Sequence, residues 1–381
     1  MMNSSTSRSH RQVAPIARGL QPVLIVADDL TGACDSAAAF LGNAELVRVL
    51  LHSGDVQAEP GTVAAVSTET RNLSSPEAVR IVERTVRESH HFRDAGILFK
   101  KVDSAGRGHL VEETMAALQA SGAALALIAP AFPEAGRTVS GGVLYVRDSA
   151  QQNSSLDLAA MFGVHGCDAV DLLPVASESE LERAVRGALD RGTRVLICDA
   201  ETQLHLDRVA AAACRIEQPI LWTGSAGLAR AVASQLPSAG SKRLVDRAWP
   251  AGRTLLFVGT DHPVTNLQIS HLQQEPATAT VQIHRLEWNN SSAECVCEAF
   301  SEAPVSALIL TGGDTAAFVL GTLNAHAIRL AGELGPGVPW GYIEGGDADG
   351  CVVVTKSGGF GRQDTLTNAF HFCSRRAYAP A

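Results

Sequence analysis

The segment Pro22-Val23-Leu24-Ile25-Val26-Ala27-Asp28-Asp29-Leu30-Thr31-Gly32-Ala33 sets an unbroken apolar run against two adjacent carboxylates and a glycine. The run reads as a strand, and the acids at its end read as the turn into a helix. The same grammar recurs outward from it. Short apolar or β-branched runs stand at 46–50, 62–66, 97–101, 124–129, 168–173, 194–198 and 219–222, and again at 254–258, 307–310 and 351–355. Amphipathic stretches lie between several of them. Ala78, Val79, Val82 and Val86 fall at helical spacing, with Ser74 and Glu77 placed to form a capping box ahead of them. Ser177 and Glu180 repeat that signal before 181–189. Strands alternating with helices predict an α/β fold in which mainly parallel sheets are flanked by helices.

The stretch 236–252, Leu-Pro-Ser-Ala-Gly-Ser-Lys-Arg-Leu-Val-Asp-Arg-Ala-Trp-Pro-Ala-Gly, breaks the alternation with Pro, Gly, Ser and charge. It marks a boundary between two domains. The expected layout is a disordered tail at 1–20, a first domain at 21–237, a linker at 238–252 and a second domain at 253–381.

Composition narrows the function classes. The 381 residues are 46% hydrophobic and 19% charged, enough apolar material for sizeable cores. A formal charge of -9 without basic clusters argues against duplex nucleic acid or an anionic membrane surface as partner. No apolar run reaches the roughly 18–20 residues that span a bilayer. The Ser-rich, basic N-terminus lacks the apolar middle of a secretory signal. The eight cysteines form no paired CxxC motifs and no secreted disulfide pattern, so reduced thiols in a cytoplasmic protein are expected.

In open parallel sheets, ligands bind beyond the carboxyl ends of the strands, so the loops there deserve the closest reading. Asp28 and Asp29 can hold a hydroxyl-rich ligand or accept a proton; an N-cap on the following helix is the structural alternative. After 97–101 the chain reads Lys100-Lys101-Val102-Asp103-Ser104-Ala105-Gly106-Arg107-Gly108, a basic cluster directly after an apolar strand. This favours an anion site, since Arg forks match carboxylates and phosphates and Lys supplies a point charge. Pro130-Ala131-Phe132-Pro133-Glu134-Ala135-Gly136-Arg137-Thr138, followed by Ser140-Gly141-Gly142, reads as a stiff loop. It either presents Glu134 and Arg137 to a ligand or pairs them with each other.

Three glycine turns follow apolar strands. They are Thr223-Gly224-Ser225-Ala226-Gly227, Thr311-Gly312-Gly313-Asp314-Thr315 and Lys356-Ser357-Gly358-Gly359-Phe360-Gly361. Glycine admits a ligand close to the backbone, and a helix N-terminus attracts anions, so together they point to a nucleotide site. Neither GxxxxGK[ST] nor GxGxxG after the first strand is present, which argues against a Walker loop and against a dinucleotide-binding dehydrogenase.

Taken together, these loops resemble the four-carbon acid sugar kinase family. The resemblance rests on Asp28-Asp29-Leu30-Thr31-Gly32, on Lys101-Val102-Asp103-Ser104 with Arg107-Gly108, on Pro130–Pro133 running to Gly136-Arg137, on Thr311–Thr315 and on Lys356–Gly361, and it spans about 23–366. It implies a sugar-acid-binding first domain, a nucleotide-binding second domain and an active site in the cleft between them. The implied activity is transfer of the ATP γ-phosphate, with Mg²⁺, to a hydroxyl of a threonate-, erythronate- or 3-oxo-tetronate-like acid. Asp28, Asp29 and Asp103 are the candidate catalytic carboxylates. Lys101, Ser104, Arg107, Gly108 and Arg137 are candidates for the acid, Arg107, Lys101 and Ser104 for its carboxylate. Ser225, Gly259, Thr260, His262, Thr311, Gly312, Gly313, Asp314, Thr315, Lys356, Gly358, Gly359 and Gly361 are candidates for the nucleotide. No all-protein metal cage is readable, and homo-oligomerisation is left open. Two departures stand out: His109 replaces the usual Asn after Arg-Gly, and Gly259-Thr260-Asp261-His262 replaces a Ser-rich loop, adding an acid near the nucleotide. A non-catalytic sensor of sugar acid or nucleotide is the rival reading.

Overall fold

Strand β1 (Val23–Ala27) is buried at all five positions. This is why its sequence is a continuous apolar run rather than an alternating one. It pairs in parallel with β3 (Thr62–Ser67) on one side and β4 (Ile97–Lys101) on the other. The computed structural model describes residues 21–52, 59–89, 92, 96–147, 153–165, 170–240, 252–275, 281–289 and 291–377. The first domain adds β2 (Leu46–Leu50), β5 (Leu125–Ala129), β9 (Val170–Leu173), β10 (Val195–Cys198) and β11 (Ile220–Gly224), giving the parallel order β2-β3-β1-β4-β11-β5-β10-β9. The second domain carries β12 (Arg253–Val258), β13 (Gln282–Arg285), β14 (Val305–Thr311) and β17 (Val352–Lys356) in the parallel order β13-β12-β14-β17. It is completed by an antiparallel pair, β15 (Ala327–Glu333) and β16 (Pro339–Glu344).

The two domains share one sheet. Strand β15 pairs antiparallel with β2, with Ala327 opposite Leu50 and Arg329 opposite Arg48, so fourteen strands form a continuous array. Arg48 reinforces this seam with an ion pair to Glu344 at 2.7 Å.

Register delivers the loops. Ala27 lies opposite Ser67 and Lys101, Lys101 opposite Gly224, and Gly224 opposite Ala129. The turns after β1, β3, β4, β11 and β5 therefore leave the sheet side by side. In the second domain Val258, Thr311 and Lys356 are aligned in the same way, so the turns after β12, β14 and β17 also emerge together.

Every strand expected from the sequence forms, within two residues at each end. Helices α1 (Leu30–Ala38), α2 (Ser75–Glu88), α3 (Leu110–Ser121), α4 (Leu158–Val164) and α5 (Glu178–Asp190) are followed by α6 (Gln203–Ala213) and α7 (Ala226–Ala233). The second domain holds α8 (Pro263–Gln274), α9 (Ser292–Ser301), α10 (Gly313–Thr322) and α11 (Thr365–Ala377). Both predicted capping boxes are present, Ser74 with Glu77 opening α2 and Ser177 with Glu180 opening α5.

The stretch expected as a stiff loop is instead the start of a small antiparallel sheet, β6 (Arg137–Ser140), β7 (Val143–Val146) and β8 (Ser154–Asp157). Gly141 and Gly142, at φ 59° and 74°, make the two-residue turn that left-handed geometry reserves for glycine. Asp199 accepts both their amide protons, at 2.8 and 2.9 Å. The tail at 1–20 lies outside the described residues, as do 241–251 of the expected linker. Among the described residues no helix is long and apolar enough to cross a membrane.

Candidate active site

In the first turn after β1 the structure gives the N-cap, and it places the same acid at a cleft. Asp29 caps α1, its Oδ1 accepting from Gly32 N at 3.1 Å, and it also lines a cleft of roughly 490 Å³, part of it open to solvent. Its Oδ2 accepts from Thr31 Oγ1 at 2.7 Å. Asp28 is also buried and is gripped at both oxygens by Arg71, whose Nε and Nη2 donate at 2.8 and 3.0 Å.

Arg71 is the residue that organises the site, and the sequence reading did not single it out. It leaves the sheet in the turn after β3, beside the other strand ends. Its Nη2 also donates to Asp29 Oδ1 at 2.8 Å and lies 3.6 Å from Asp103. The strand-end rule could have found it in Thr68-Glu69-Thr70-Arg71-Asn72, a polar run directly after an apolar strand.

One guanidinium thus serves three buried carboxylates. For Asp29, burial acts to raise the pKa, but Arg71, Lys101 and the Thr31 hydroxyl outweigh it and hold the group below the usual carboxylate range. Asp103 is buried too and is likewise held low, by its hydrogen bonds from Arg107 and by the charge of Arg71. Asp28 goes the other way: burial, helped by the neighbouring charge of Asp29, raises it despite Arg71. When this pair takes a proton, Asp28 is the first to hold it.

The basic cluster after β4 divides. Lys100 turns inward as a fully buried ion pair with Glu113 of α3 at 2.7 Å, so it belongs to the core. Lys101 faces the cleft; a Cβ built on Gly32 would lie 2.8 Å from its Nζ. Ser104 and Arg107 line the same space. Arg107 folds back on Asp103, donating at 3.0 and 2.8 Å, while its side chain remains 64% exposed and reachable by a ligand. Gly108, at φ 79°, packs against Arg71 and Asp28. His109 lies outside this group: its Nε2 contacts the Leu73 carbonyl at 2.7 Å and so braces the loop that carries Arg71.

From the fifth strand, Arg137 lines the cleft and lies over the Phe360 ring, 5.8 Å from its centroid. Glu134 pairs with Arg230 of α7 at 2.7 Å. Ser225 caps α7, accepting from Gly227 N and donating to the Ala131 carbonyl.

The glycine turns of the second domain come up against these groups. A Cβ on Gly313 would lie 2.5 Å from Asp29 Oδ2. Across the same boundary Asn72 Nδ2 donates to Asp314 at 3.3 Å. Gly312 opens α10 at φ 101°, its amide bonded to the Lys356 carbonyl. Thr311 and Thr315 are buried beneath this turn. The Thr315 hydroxyl would lie 2.5 Å from a Cβ on Gly259.

Lys356 sits under the third glycine turn rather than in the cleft. Its Nζ lies within 3.2 Å of Thr265 Oγ1 and of the Ser357, Gly358 and Phe360 carbonyls, so it builds the loop; burial pushes its ammonium down to about 7. Thr260 and His262 flank Gly358 and Gly359, and Gly361 at φ 91° packs on Thr365. The acid at Asp261, expected near the nucleotide, is fully exposed and lies 4.0 Å from Arg285.

The cleft therefore has a carboxylate-and-cation wall from one domain and Gly337, Ser357 and Phe360 from the other, with the Gly312–Gly313 helix start set against Asp29, an arrangement that suits transfer between an anionic donor and a hydroxyl. Comparison with known proteins agrees. Residues 23–232 match the sugar-binding N-terminal domain family and 289–366 match the nucleotide-binding C-terminal domain family. A D-threonate kinase of Bordetella bronchiseptica is 32% identical, covering 93% of this chain and 98% of its own. A D-threonate kinase of Cupriavidus necator is 29% identical over 91% and 97%. A 3-oxo-tetronate kinase of Pectobacterium atrosepticum is 24% identical over 91% and 97%. Among solved structures, a Salmonella typhimurium protein superposes with a TM-score of 0.68 at 20% identity, over 91% of this chain and 98% of its own, and supports the fold. The chain belongs to the four-carbon acid sugar kinase family, phosphotransferases with an alcohol group as acceptor.

Proposed function

We propose that this chain transfers the γ-phosphoryl group of ATP to a hydroxyl of a four-carbon sugar acid of the threonate, erythronate or 3-oxo-tetronate type. The observation that carries this reading is the approach of Gly313 to Asp29, which brings an anion-binding helix start against a buried carboxylate held ionised. Residues 21–237 bind the acid and 253–381 bind the nucleotide. The turns at Gly312–Thr315 and Gly358–Gly361 offer backbone amides to the phosphates. Ser225, Gly259, Thr260 and His262 complete the nucleotide side. Lys101, Ser104 and Arg107 take the substrate carboxylate, with Arg137 and Gly108 at the rim.

Among the three carboxylates, Asp29 is placed to orient the accepting hydroxyl. Phosphoryl transfer leaves little covalent work to the protein, so a carboxylate that accepts the hydroxyl proton late can remain a weak base and still align the nucleophile. Asp28 and Asp103 are each held at both oxygens by a guanidinium, whereas Asp29 shares Arg71 at one oxygen only and turns the other toward Gly313.

The donor set fits a Mg²⁺ ion carried mainly by the nucleotide. Among the described residues no cluster of three acidic, His or Cys side chains could hold a metal alone, whereas Asp29 and Asp314 stand at the phosphate turn. Bound there, the ion would neutralise charge on the phosphates. The chain works in the cytoplasm, a setting supported by the unpaired state of the described cysteines.

The reading is tested by ADP formation from ATP and Mg²⁺ with D-threonate, D-erythronate and 3-oxo-tetronate in turn. Acid-dependent ADP release is expected with at least one. Tight binding of acid and ATP without ADP would instead favour a sensor.

A further inference from the structure

A carboxylate in the cleft has no part in the scheme above. Asp35 stands on α1 one turn beyond Gly32, on the same face of the helix, about 4.5 Å further along its axis. It lines the cleft, yet it is only 7% exposed. Its Oδ1 has no hydrogen-bond partner among the described residues. Arg230 stands 3.6 Å from that oxygen, beyond hydrogen-bond reach, and makes its closer contacts to Glu134 at 2.7 Å and Glu333 at 3.3 Å. Arg230 is thereby committed to bridging the domains, and it leaves the Asp35 oxygen short of a donor.

A buried carboxylate oxygen without a hydrogen bond is costly, and native structures keep few of them. An oxygen left open inside a ligand cleft is explained when the ligand brings the donor. The placement is right for a short polyhydroxy acid. Lys101 Nζ lies beside Gly32, so a cation and an open acceptor stand one helical turn apart along one wall. We propose that Asp35 is a specificity-determining residue whose free carboxylate oxygen accepts a hydrogen bond from a hydroxyl of the bound sugar acid that is not the one phosphorylated. This rests on the kinase reading for the identity of the ligand. A site built to hydrogen-bond a hydroxyl rejects the analogue that lacks it, because the protein group is then left unpaired.

The test uses the full-length protein, the better substrate of D-threonate and D-erythronate, and its 2-, 3- and 4-deoxy analogues. For each variant, kcat/KM is measured as the ratio of parent acid to deoxy analogue, so that the fraction of active protein cancels. At about pH 8, above the value of about 7 to which burial raises Asp35, the wild type should prefer the parent acid about 10- to 150-fold over one analogue that still carries the phosphorylated hydroxyl, as expected for a hydrogen bond to a charged acceptor. In Asp35→Ala that ratio should fall to near 1, while the ratio for the other competent analogue stays at its wild-type value. Asp35→Asn, nearly isosteric and still carrying an acceptor oxygen, should fall between. Ratios that are unchanged in Asp35→Ala, or that shrink equally for every analogue, would overturn the proposal. If the wild type phosphorylates none of D-threonate, D-erythronate and 3-oxo-tetronate, the kinase reading fails. The same ratios of Kd, measured by calorimetry, then decide the role of Asp35 separately.

Discussion

Replacing Arg71 by Met removes one positive charge from among three buried carboxylates. The Arg71 side chain is 15% exposed and those of Asp28, Asp29 and Asp103 are 4%, 6% and 8% exposed, so solvent does little to screen what remains. Breaking a buried ion pair typically costs 3–5 kcal/mol. With Asp103 still held by Arg107, a loss of about 3–5 kcal/mol at pH 8 is expected rather than a threefold sum. The loss must depend on pH, and in a definite direction. In the wild type Asp29 and Asp103 have depressed pKa values, so they contribute stability above the unfolded value of 3.8 that is lost as pH falls. In Arg71→Met the Asp28–Asp29 pair keeps a proton into the neutral range. The variant is then penalised by about 1.4 kcal/mol per pH unit for each proton the unfolded chain has already released. The stability gap between wild type and variant should therefore narrow between pH 8 and pH 6, by at most about 2–3 kcal/mol because the raised Asp28 of the wild type takes up part of the same proton. Urea denaturation at both pH values measures it. An equal gap at the two values, or a loss below about 1 kcal/mol at pH 8, would refute the view that Arg71 holds these carboxylates ionised.

Three further outcomes follow from the geometry. Gly313→Val would drive a side chain into Asp29 Oδ2 and push the Gly312–Gly313 amides out of place, and calorimetry should show ATP affinity falling by about tenfold or more while sugar-acid binding, carried mainly by Lys101, Ser104 and Arg107, weakens less. Lys100→Met strands Glu113 without its buried partner and should cost about 3–5 kcal/mol in chemical denaturation, much of it recovered in Lys100→Met/Glu113→Leu, with the cleft residues untouched. Burial raises Asp35 to about 7 against the opposing charge of Arg230, with Glu333, Lys101 and Asp29 also facing it. The wild type should therefore lose stability as pH rises from about 4 to about 7, and Asp35→Asn should lack that component and melt higher than wild type at pH 8.

Much of this was legible in the sequence because parallel strands buried on both faces announce themselves as apolar runs. The run at 22–27 and the capping boxes at Ser74 and Ser177 gave elements that the structure contains. Strands β15 and β16 escaped that reading. Ala327–Glu333 and Pro339–Glu344 contain Arg329, Gly332, Gly341 and Glu344, polar or flexible residues that a strand with a half-exposed face tolerates. The hairpin at 137–146 hides behind its own signal: Gly141-Gly142 after two prolines reads as loop, although two glycines beside β-branched residues also mark a tight hairpin turn. In the basic run after β4, residue type is legible locally, whereas the direction of each side chain depends on the strand. Lys100 and Lys101 are adjacent in a strand, so they must point to opposite faces, and only one could reach the cleft. Arg71 was passed over because its loop carries no glycine signature; its importance comes from β3 lying next to β1, a long-range pairing that no local pattern states.

That pairing also decides how the cleft is made. The β15–β2 seam runs antiparallel, so the parallel strands of the two domains are opposed in the sheet. In a flat sheet the turn after β14 and the turn after β1 would emerge from opposite edges. Six steps separate β1 from β14 along β1-β3-β2-β15-β16-β17-β14, and each contributes about 20–25° of twist. Their sum, about 120–150°, swings the second domain's carboxyl ends round toward the first domain's. This is how Gly313 comes to meet Asp29 although the strands that carry them are formally opposed. The same seam limits how the cleft opens. A hinge that separated the domains outright would break the β2–β15 ladder and the Arg48–Glu344 pair. Substrate entry is better served by a change of twist along β2, β15 and β16, which keeps the ladder and moves the glycine turns away from Asp29. The Arg230 contacts to Glu134 and Glu333 lie across that movement. They fasten the cleft from the side where Asp35 waits for its hydroxyl, so substrate recognition and domain closure act on the same small group of charges.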